Sequence, residues 1–455
     1  MGRRTGTLNP MDRRAFMLFT FAGLANPGPA PFTPTPVQDS DLPARPASVA
    51  VVNSADTPFE AWMRDYIGRA IRAGAPSDVV HREFDGLTPD PKITDLDGRQ
   101  SEFSKPLGSY VKGVVTEDRI AKGRLKLEML AWLPEVEQRF GVPREILVAI
   151  WSVETGFGAI QGDFDVLRSL ATLAAAGRRR DWAEGELNAV IKIIATGQAS
   201  RAQLRGSWAG AMGQTQFEPS TYLQYAVDGD GDGRRDIWVS PEDALASTAN
   251  LLIHYGWKPG QRWDCEVILP AGFDYSLAEG PSQTPLEWAE LGAVKADGGS
   301  WASADAVAPA QLILPSGAYG PAFLIFPNHM VIRKYNNSTA YALSVGLLAE
   351  RIAGGGPLRT PWPYEIPLSL ADRIDAQTAL AKLGYDPGAV DGVLGANTRV
   401  AVRAWQKTRG IPADGYLSPG VLQRLRGEAG IAAPSAVDTG DAPPAAPIPY
   451  RSLPR

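Results

Sequence analysis

Ile150-Trp151-Ser152-Val153-Glu154-Thr155-Gly156-Phe157-Gly158 is the stretch on which the reading of this chain turns. Upstream, Pro143 suits the first turn of a helix, and Ile146, Leu147, Ala149, Ile150 and Val153 make that helix almost wholly apolar. Gly156 and Gly158 break it. Glu154 is therefore an acid at the C-terminal end of an apolar helix. An apolar setting disfavours a carboxylate, and the negative end of the helix dipole opposes a second negative charge, so both effects raise its pKa. A carboxylic acid kept protonated near neutral pH can give its proton to a glycosidic oxygen. Taken alone, the pattern fits a solvated glutamate at a frayed helix end equally well.

Two segments further along narrow the choice. Gly206-Ser207-Trp208-Ala209-Gly210-Ala211-Met212-Gly213-Gln214-Thr215-Gln216-Phe217-Glu218-Pro219-Ser220 alternates small residues with single polar ones. Glycines at that density let a sugar or another backbone approach closely, and Gln and Ser supply directional hydrogen bonds. Tyr335-Asn336-Asn337-Ser338, with Tyr341 beyond, adds an aromatic and amide cluster suited to pyranose recognition.

The bulk composition sets the frame. The chain has 455 residues, beyond the size at which one core keeps growing, so two or three domains are expected. Hydrophobic residues make up 44% and charged residues 21%, with a net charge of −5, which gives no basic surplus for nucleic acid. Arg13 and Arg14 precede the short apolar run Phe16–Ala25, the order of a signal peptide with a twin-arginine flavour, so residues 1–30 read as an export signal to the periplasm. Met11 gives a more typical start for it than Met1. The single cysteine, Cys265, lies far from this signal, so neither a lipid anchor there nor an internal disulfide is expected.

Residues 31–58 are rich in Pro, Ala and Thr and read as a disordered leader. Folded sequence starts near Phe59, where Trp62, Tyr66, Ile67, Ala70 and Ile71 recur at helical spacing, and a loop is expected at Pro89–Pro106. Helical patterns dominate from Glu117 to Tyr255, among them a helix capped by Ser240-Pro241-Glu242-Asp243. Short apolar runs broken by Gly and Pro from Cys265 to Ile332 predict some β structure, and a helix over about Thr339–Ala353 closes the unit at 59–353. Gly354–Pro363 begins a linker placed at 354–366, followed by a compact unit at 367–428 and a Pro/Ala-rich tail at 429–455.

These motifs resemble the lytic murein transglycosylases of the membrane-bound B type. The V-E-T-G-F-G segment at Glu154, the G-S-W-A-G-A-M-G-Q-T-Q-F-x-P-S segment from Gly206 and Tyr-Asn at 335–336 carry the resemblance, in the right order, over roughly residues 59–352. It implies a mainly α (α+β) fold: a lysozyme-like catalytic core with a small β-containing part. It also implies cleavage of the bond from N-acetylmuramic acid to N-acetylglucosamine without water, leaving 1,6-anhydromuramic ends. Residue by residue, Glu154 matches the family's single acid and base; Ser207 matches a serine near it; and Tyr110, Tyr335, Asn336 and Tyr341 match cleft residues. Gln214 and Gln216 join the expected substrate-binding set. Leu251 stands where the family has a cleft tyrosine after Asn250, which puts sugar stacking at that subsite in doubt.

A glycosidase that hydrolyses needs two carboxylates about 5–9.5 Å apart. Asp163, Asp165 and Asp181 are candidates for a second, and read as a loop acid, a turn acid and a helix N-terminal acid. A hydrolytic muramidase and a non-catalytic wall-binding scaffold remain the alternatives at this point. No cofactor is expected for catalysis, and the expected partner is the peptidoglycan glycan strand, bound by a monomer.

Asp228-Gly229-Asp230-Gly231-Asp232-Gly233-Arg234-Arg235-Asp236 matches the first half of an EF-hand loop, making Asp228, Asp230, Asp232, Arg234 (through its carbonyl) and Asp236 candidate calcium ligands. The twelfth position is Val239, so the loop is incomplete, and Glu242 is a candidate substitute. His81, His254 and His329 are too scattered to suggest zinc. In the C-terminal unit, Leu380, Gly384, Tyr385, Asp391-Gly392, Thr398, Trp405, Gln406 and Asp414-Gly415 resemble a small three-helix peptidoglycan-binding domain, which would raise the enzyme's local concentration on an insoluble polymer.

Overall fold

Thr57 opens the first helix, Pro58–Arg72, with a capping box: its hydroxyl accepts from the Glu60 N–H, and the Glu60 carboxylate accepts from the Thr57 N–H at 2.8 Å. The computed structural model describes residues 57–99 and 106–432. The expected export signal at 1–30, nearly all of the leader and most of the C-terminal tail lie outside those residues. The chain divides into two compact units, one ending at Pro367 and one beginning at Leu368.

The first unit is mainly helical. Phe59, Trp62, Tyr66 and Ala70 bury one face of the first helix among Phe84, Leu170, Leu187 and Met212. The expected loop at Pro89–Pro106 contains instead a helix, Pro91–Arg99, whose Ile93 is fully buried. Proline reads as a breaker but is well tolerated in a helix's first turn, where its missing N–H is not needed.

A second core surrounds the helix Arg144–Thr155, whose residues Ile146 to Val153 are all buried. Such all-round burial is what a helix without a polar face requires. The helices Glu117–Met129, Leu133–Phe140, Pro241–His254 and Thr339–Ile352 pack around it. Pro143 caps it from just outside, and Gly156 ends it in a left-handed conformation with φ 60°.

The predicted β structure is a four-stranded antiparallel sheet, in the order Val294–Lys295, Asp264–Ile268, Ala322–Ile325, Gln311–Ile313. Cys265 is a free, buried thiol within it. Phe164–Asp165 also pairs antiparallel with Arg205–Gly206, which brings the Gly206 motif back beside the helix of Glu154.

The stretch read as a linker does not leave the first unit as a free tether. The Glu266 carboxylate accepts from the Arg359 and Thr360 N–H groups at 2.8 and 2.7 Å. Trp362 lies 6.1 Å from Phe323, ring centre to ring centre.

The second unit consists of helices Leu370–Lys382, Ala396–Thr408 and Pro419–Ala429 around Leu380, Val402, Trp405 and Leu425. Two buried glutamines hold its Asp-Gly turns in the same manner. The side-chain Oε1 of Gln377 accepts from the Gly392 N–H at 2.7 Å, and that of Gln406 from the Gly415 N–H at 2.8 Å.

Candidate active site

Glu154 occupies the last turn of its helix, where the chain reverses through Gly156, Phe157 and Gly158 at φ 60°, 65° and 80°. A left-handed Phe157 is uncommon. It is held by an edge-on contact with Trp151, with ring centres 5.5 Å apart. The Arg119 guanidinium reaches back to donate to the Ser152 carbonyl at 2.5 Å, so the carbonyl end of this helix carries a fixed positive partner.

The Glu154 side chain is half-buried, and burial pushes its pKa up to about 8. The Tyr341 hydroxyl donates to its Oε1 at 2.6 Å, which opposes that rise by favouring the carboxylate. Tyr341 and Tyr335 are stacked, with ring centres 6.4 Å apart and planes within 4°. The Tyr335 hydroxyl donates to the Thr215 carbonyl, and Phe217 meets its ring edge-on. Burial and the nearby Glu154 push the phenols of Tyr110, Tyr335 and Tyr341 upward, so all three stay neutral donors. The structure thus gathers Tyr110, Tyr335 and Tyr341 about Glu154.

The Gly206 motif has a different geometry from a row of free sugar-binding groups. Ser207 is buried, and its Oγ accepts from the Ala211 N–H at 3.1 Å, closing a tight turn. Gln214 accepts from the Trp151 indole at 3.0 Å, and its carbonyl accepts from the Thr155 hydroxyl at 2.5 Å. Gln216, itself left-handed at φ 56°, donates to the Gln161 and Gly213 carbonyls, each at 3.0 Å. Both amides therefore brace the loop against the helix end. Asn336 is buried beside Tyr335. Leu251, the residue that put a sugar subsite in doubt, is buried in the first core and serves packing.

The second-carboxylate candidates are accounted for elsewhere. Asp165 caps the helix Val166–Ala176 and pairs with Arg201 at 2.9 Å. Asp163 and Asp181 are exposed.

In the acidic loop, Asp228, Asp230 and Asp232 converge with Asp243, one carboxylate oxygen of each lying within 4.8 Å of the others. Asp243, rather than the expected Asp236 or Glu242, is the fourth acid of this group. It lies in the first turn of the helix Pro241–His254, fully buried, and accepts from the Gly229 and Asp236 N–H groups at 2.7 and 2.6 Å. Asp236 instead accepts from the Trp238 and Val239 N–H groups, and Arg234 is exposed. Oxygen donors alone, four of them carboxylates, suit a hard cation such as calcium.

Residues 58–350 match the family model described as the transglycosylase SLT domain, and residues 369–425 match a putative peptidoglycan-binding domain. The chain belongs to the SLT transglycosylase family. It is a peptidoglycan lytic transglycosylase. Membrane-bound lytic murein transglycosylase B of Escherichia coli is 31% identical over 296 residues, covering 61% of this chain and 74% of that protein. SltB3 of Pseudomonas aeruginosa, solved in complex with NAG-anhNAM-pentapeptide, is 48% identical with a TM-score of 0.78, covering 81% of this chain and 99% of that one. Slt35 of E. coli, solved in complex with calcium, is 28% identical with a TM-score of 0.55, covering 64% and 92%.

The lytic transglycosylase's site was in part legible in sequence. Arg119 and Asp243 were not foreseen as parts of the two sites. The second stands in the helix cap that the sequence did mark.

Proposed function

We propose that Glu154 is the acid and then the base of the lytic reaction. The observation that carries this is the placement of Glu154 in the last turn of an apolar helix with the Tyr341 hydroxyl on its Oε1, a setting whose burial pushes its pKa up to about 8. Oε1 accepts from Tyr341, leaving Oε2 to carry the proton. Glu154 donates that proton to the oxygen linking N-acetylmuramic acid to N-acetylglucosamine, and the bond to muramic C1 breaks. The resulting carboxylate, made a stronger base by its surroundings, takes the proton from the muramic O6 hydroxyl as O6 bonds to C1. A 1,6-anhydro ring forms, the acid is regenerated and no water is consumed. Tyr110, Tyr335, Tyr341 and Asn336 line the sugar, while Ser207, Gln214 and Gln216 shape the loop that receives it.

The acidic loop holds a structural calcium, with Asp228, Asp230, Asp232 and Asp243 as its carboxylates and no part in the chemistry. The structure of Slt35 in complex with calcium supports this, together with the convergence of the four acids. The chain works in the periplasm after export, a reading supported by Arg13, Arg14 and the apolar run that follows. No helix among the described residues is long and apolar enough to cross a membrane.

The test is mass spectrometry of purified sacculi digested by the full chain and by Glu154→Gln. Anhydromuramic products from the first and none from the second are expected. Reducing muramic ends from the first would instead make the reaction hydrolytic.

A further inference from the structure

Tyr110 and Tyr341 stand on two helices, Leu107–Val114 and Thr339–Ile352, that pack against each other. One stretch of chain lies behind both. Leu358 and Trp362 pack against the buried cluster that Val111 of the first helix shares with Leu343 and Leu347 of the second, and the Trp362 carbonyl accepts from Lys112 of the first helix. At 100° per residue, Val111 and Gly108 lie on one face of the first helix while Tyr110 projects from the opposite side of Gly108. The same offset of two residues separates Tyr341 from Leu343. In each helix, therefore, one face meets this strap and the other presents a tyrosine toward Glu154.

Glu365 fastens the strap. Its Oε2 accepts from the Gly108 N–H at 2.9 Å and its Oε1 from the Ser316 hydroxyl at 2.8 Å. The Gly108 N–H is one of the donors that a helix start leaves without an internal partner, and Pro106, the residue at the cap position, offers no side chain to it. The cap comes from 257 residues away. The contact is close: a Cβ on Gly108 would stand 2.6 Å from Glu365 Oε2 and 2.9 Å from the Trp362 ring. Glu365 is buried, and burying a carboxylate costs free energy unless its hydrogen bonds are specific.

We infer that Glu365 is a positioning residue: by capping the helix Leu107–Val114 from the strap it holds Tyr110 in place beside Glu154. The inference deepens the proposed mechanism and rests on Glu154 being its acid. Tyr110 helps to enclose Glu154, so loosening its helix admits water to the carboxyl and lowers its pKa. The consequence is a basic limb of activity that moves to lower pH, together with a slower chemical step.

The experiment uses the full chain on soluble glycan fragments, comparing Glu365→Ala, Glu365→Gln and Gly108→Ala. Circular dichroism and thermal melts check the fold. Glu365→Ala is expected to lower kcat about fivefold, the size of a lost cap read as rate, with KM little changed and the basic limb shifted down. Gly108→Ala, which pushes the strap off from the other side, is expected to repeat this, and it carries the test alone if Glu365→Ala does not fold. Glu365→Gln can still accept from Gly108 and is expected to restore the wild-type profile. Folded Ala variants with wild-type kcat and an unmoved pH limb, or a lowered melting temperature with nothing else changed, would overturn the inference. Retained anhydromuramic products in Glu154→Gln would instead overturn the mechanism beneath it.

Discussion

Tyr341 donates a 2.6 Å hydrogen bond to Glu154 across 187 positions of sequence, and that bond sets how far the acid's pKa can rise. Two opposed effects meet on one carboxyl. Burial raises its pKa, and the phenol lowers it by favouring the charged form. The result, about 8, keeps the proton in place at neutral pH yet leaves the conjugate base a usable acceptor.

Tyr341→Phe is expected to release the second effect only. The pKa of Glu154 then rises, and the basic limb of the pH–rate profile moves to higher pH. The rate falls by about tenfold as a hydrogen bond to a charged group is lost. A pH profile of anhydromuramic product formation checks both. A limb that stays in place, or moves to lower pH, would show that the phenol does not govern the acid.

Glu154 also ties stability to pH. It holds its proton more tightly folded than unfolded, so its contribution is fully present below the ordinary value of 4.5 and is lost as pH climbs toward about 8. Above that, the folded chain carries a carboxylate in a poor environment. Glu154→Gln removes this penalty and is expected to stabilise the protein on the order of 1–3 kcal/mol at pH 9, with little gain at pH 4. Thermal melts of both proteins at the two pH values decide it. Equal differences at both pH values contradict a protonated Glu154.

Much of this was readable from the chain because it is local. The helix before Glu154 announces itself by apolar periodicity, its end by Gly156, and the acid's altered environment follows from the two together. The second unit was legible for the same reason, its Asp-Gly turns and Trp405 falling within one short stretch. What escaped depends on contacts far apart in sequence. Nothing near Gly108 says that Glu365 caps its helix, and nothing near Gln214 says that the Trp151 indole and Thr155 hydroxyl will claim it. The helix Pro91–Arg99 was hidden by its own first residue, since a proline reads as a stop before it reads as a start.

The glycine-dense motif makes a further expectation sharp. Gly162 has φ +99°, and a Cβ there would overlap the Gly206 carbonyl; one on Gly206 would overlap the Ala211 carbonyl. Neither backbone can yield without parting the strand Phe164–Asp165 from Arg205–Gly206. Gly162→Ala is expected to cost about 2–4 kcal/mol through strain and overpacking together. Gly156→Ala, left-handed but with open space around it, is expected to cost about 1 kcal/mol. Denaturant melts of the pair compare them. Equal losses would show that left-handed backbone alone, and not close approach, explains these glycines.

The acidic loop offers a test that separates stability from chemistry. Asp243 is fully buried and its two oxygens already accept from Gly229 and Asp236, so it is fixed in place before any cation arrives. Three further carboxylates brought within 4.8 Å repel one another, and a divalent cation relieves that repulsion. Calcium at a hundredfold excess over its Kd is expected to stabilise the protein by about 2.7 kcal/mol, read as a rise in melting temperature that a chelator reverses. Asp228→Asn keeps the loop's length and most of its hydrogen bonds, and is expected to abolish most of the rise. Product formation by chelated protein, measured well below its melting temperature, is expected to match that of the calcium-loaded form, because the proposed proton path runs through Glu154 and not through the loop. A melting temperature indifferent to calcium and chelator would refute the cation, while a loss of turnover in still-folded chelated protein would show that the loop reaches further into the reaction than its acids' position implies.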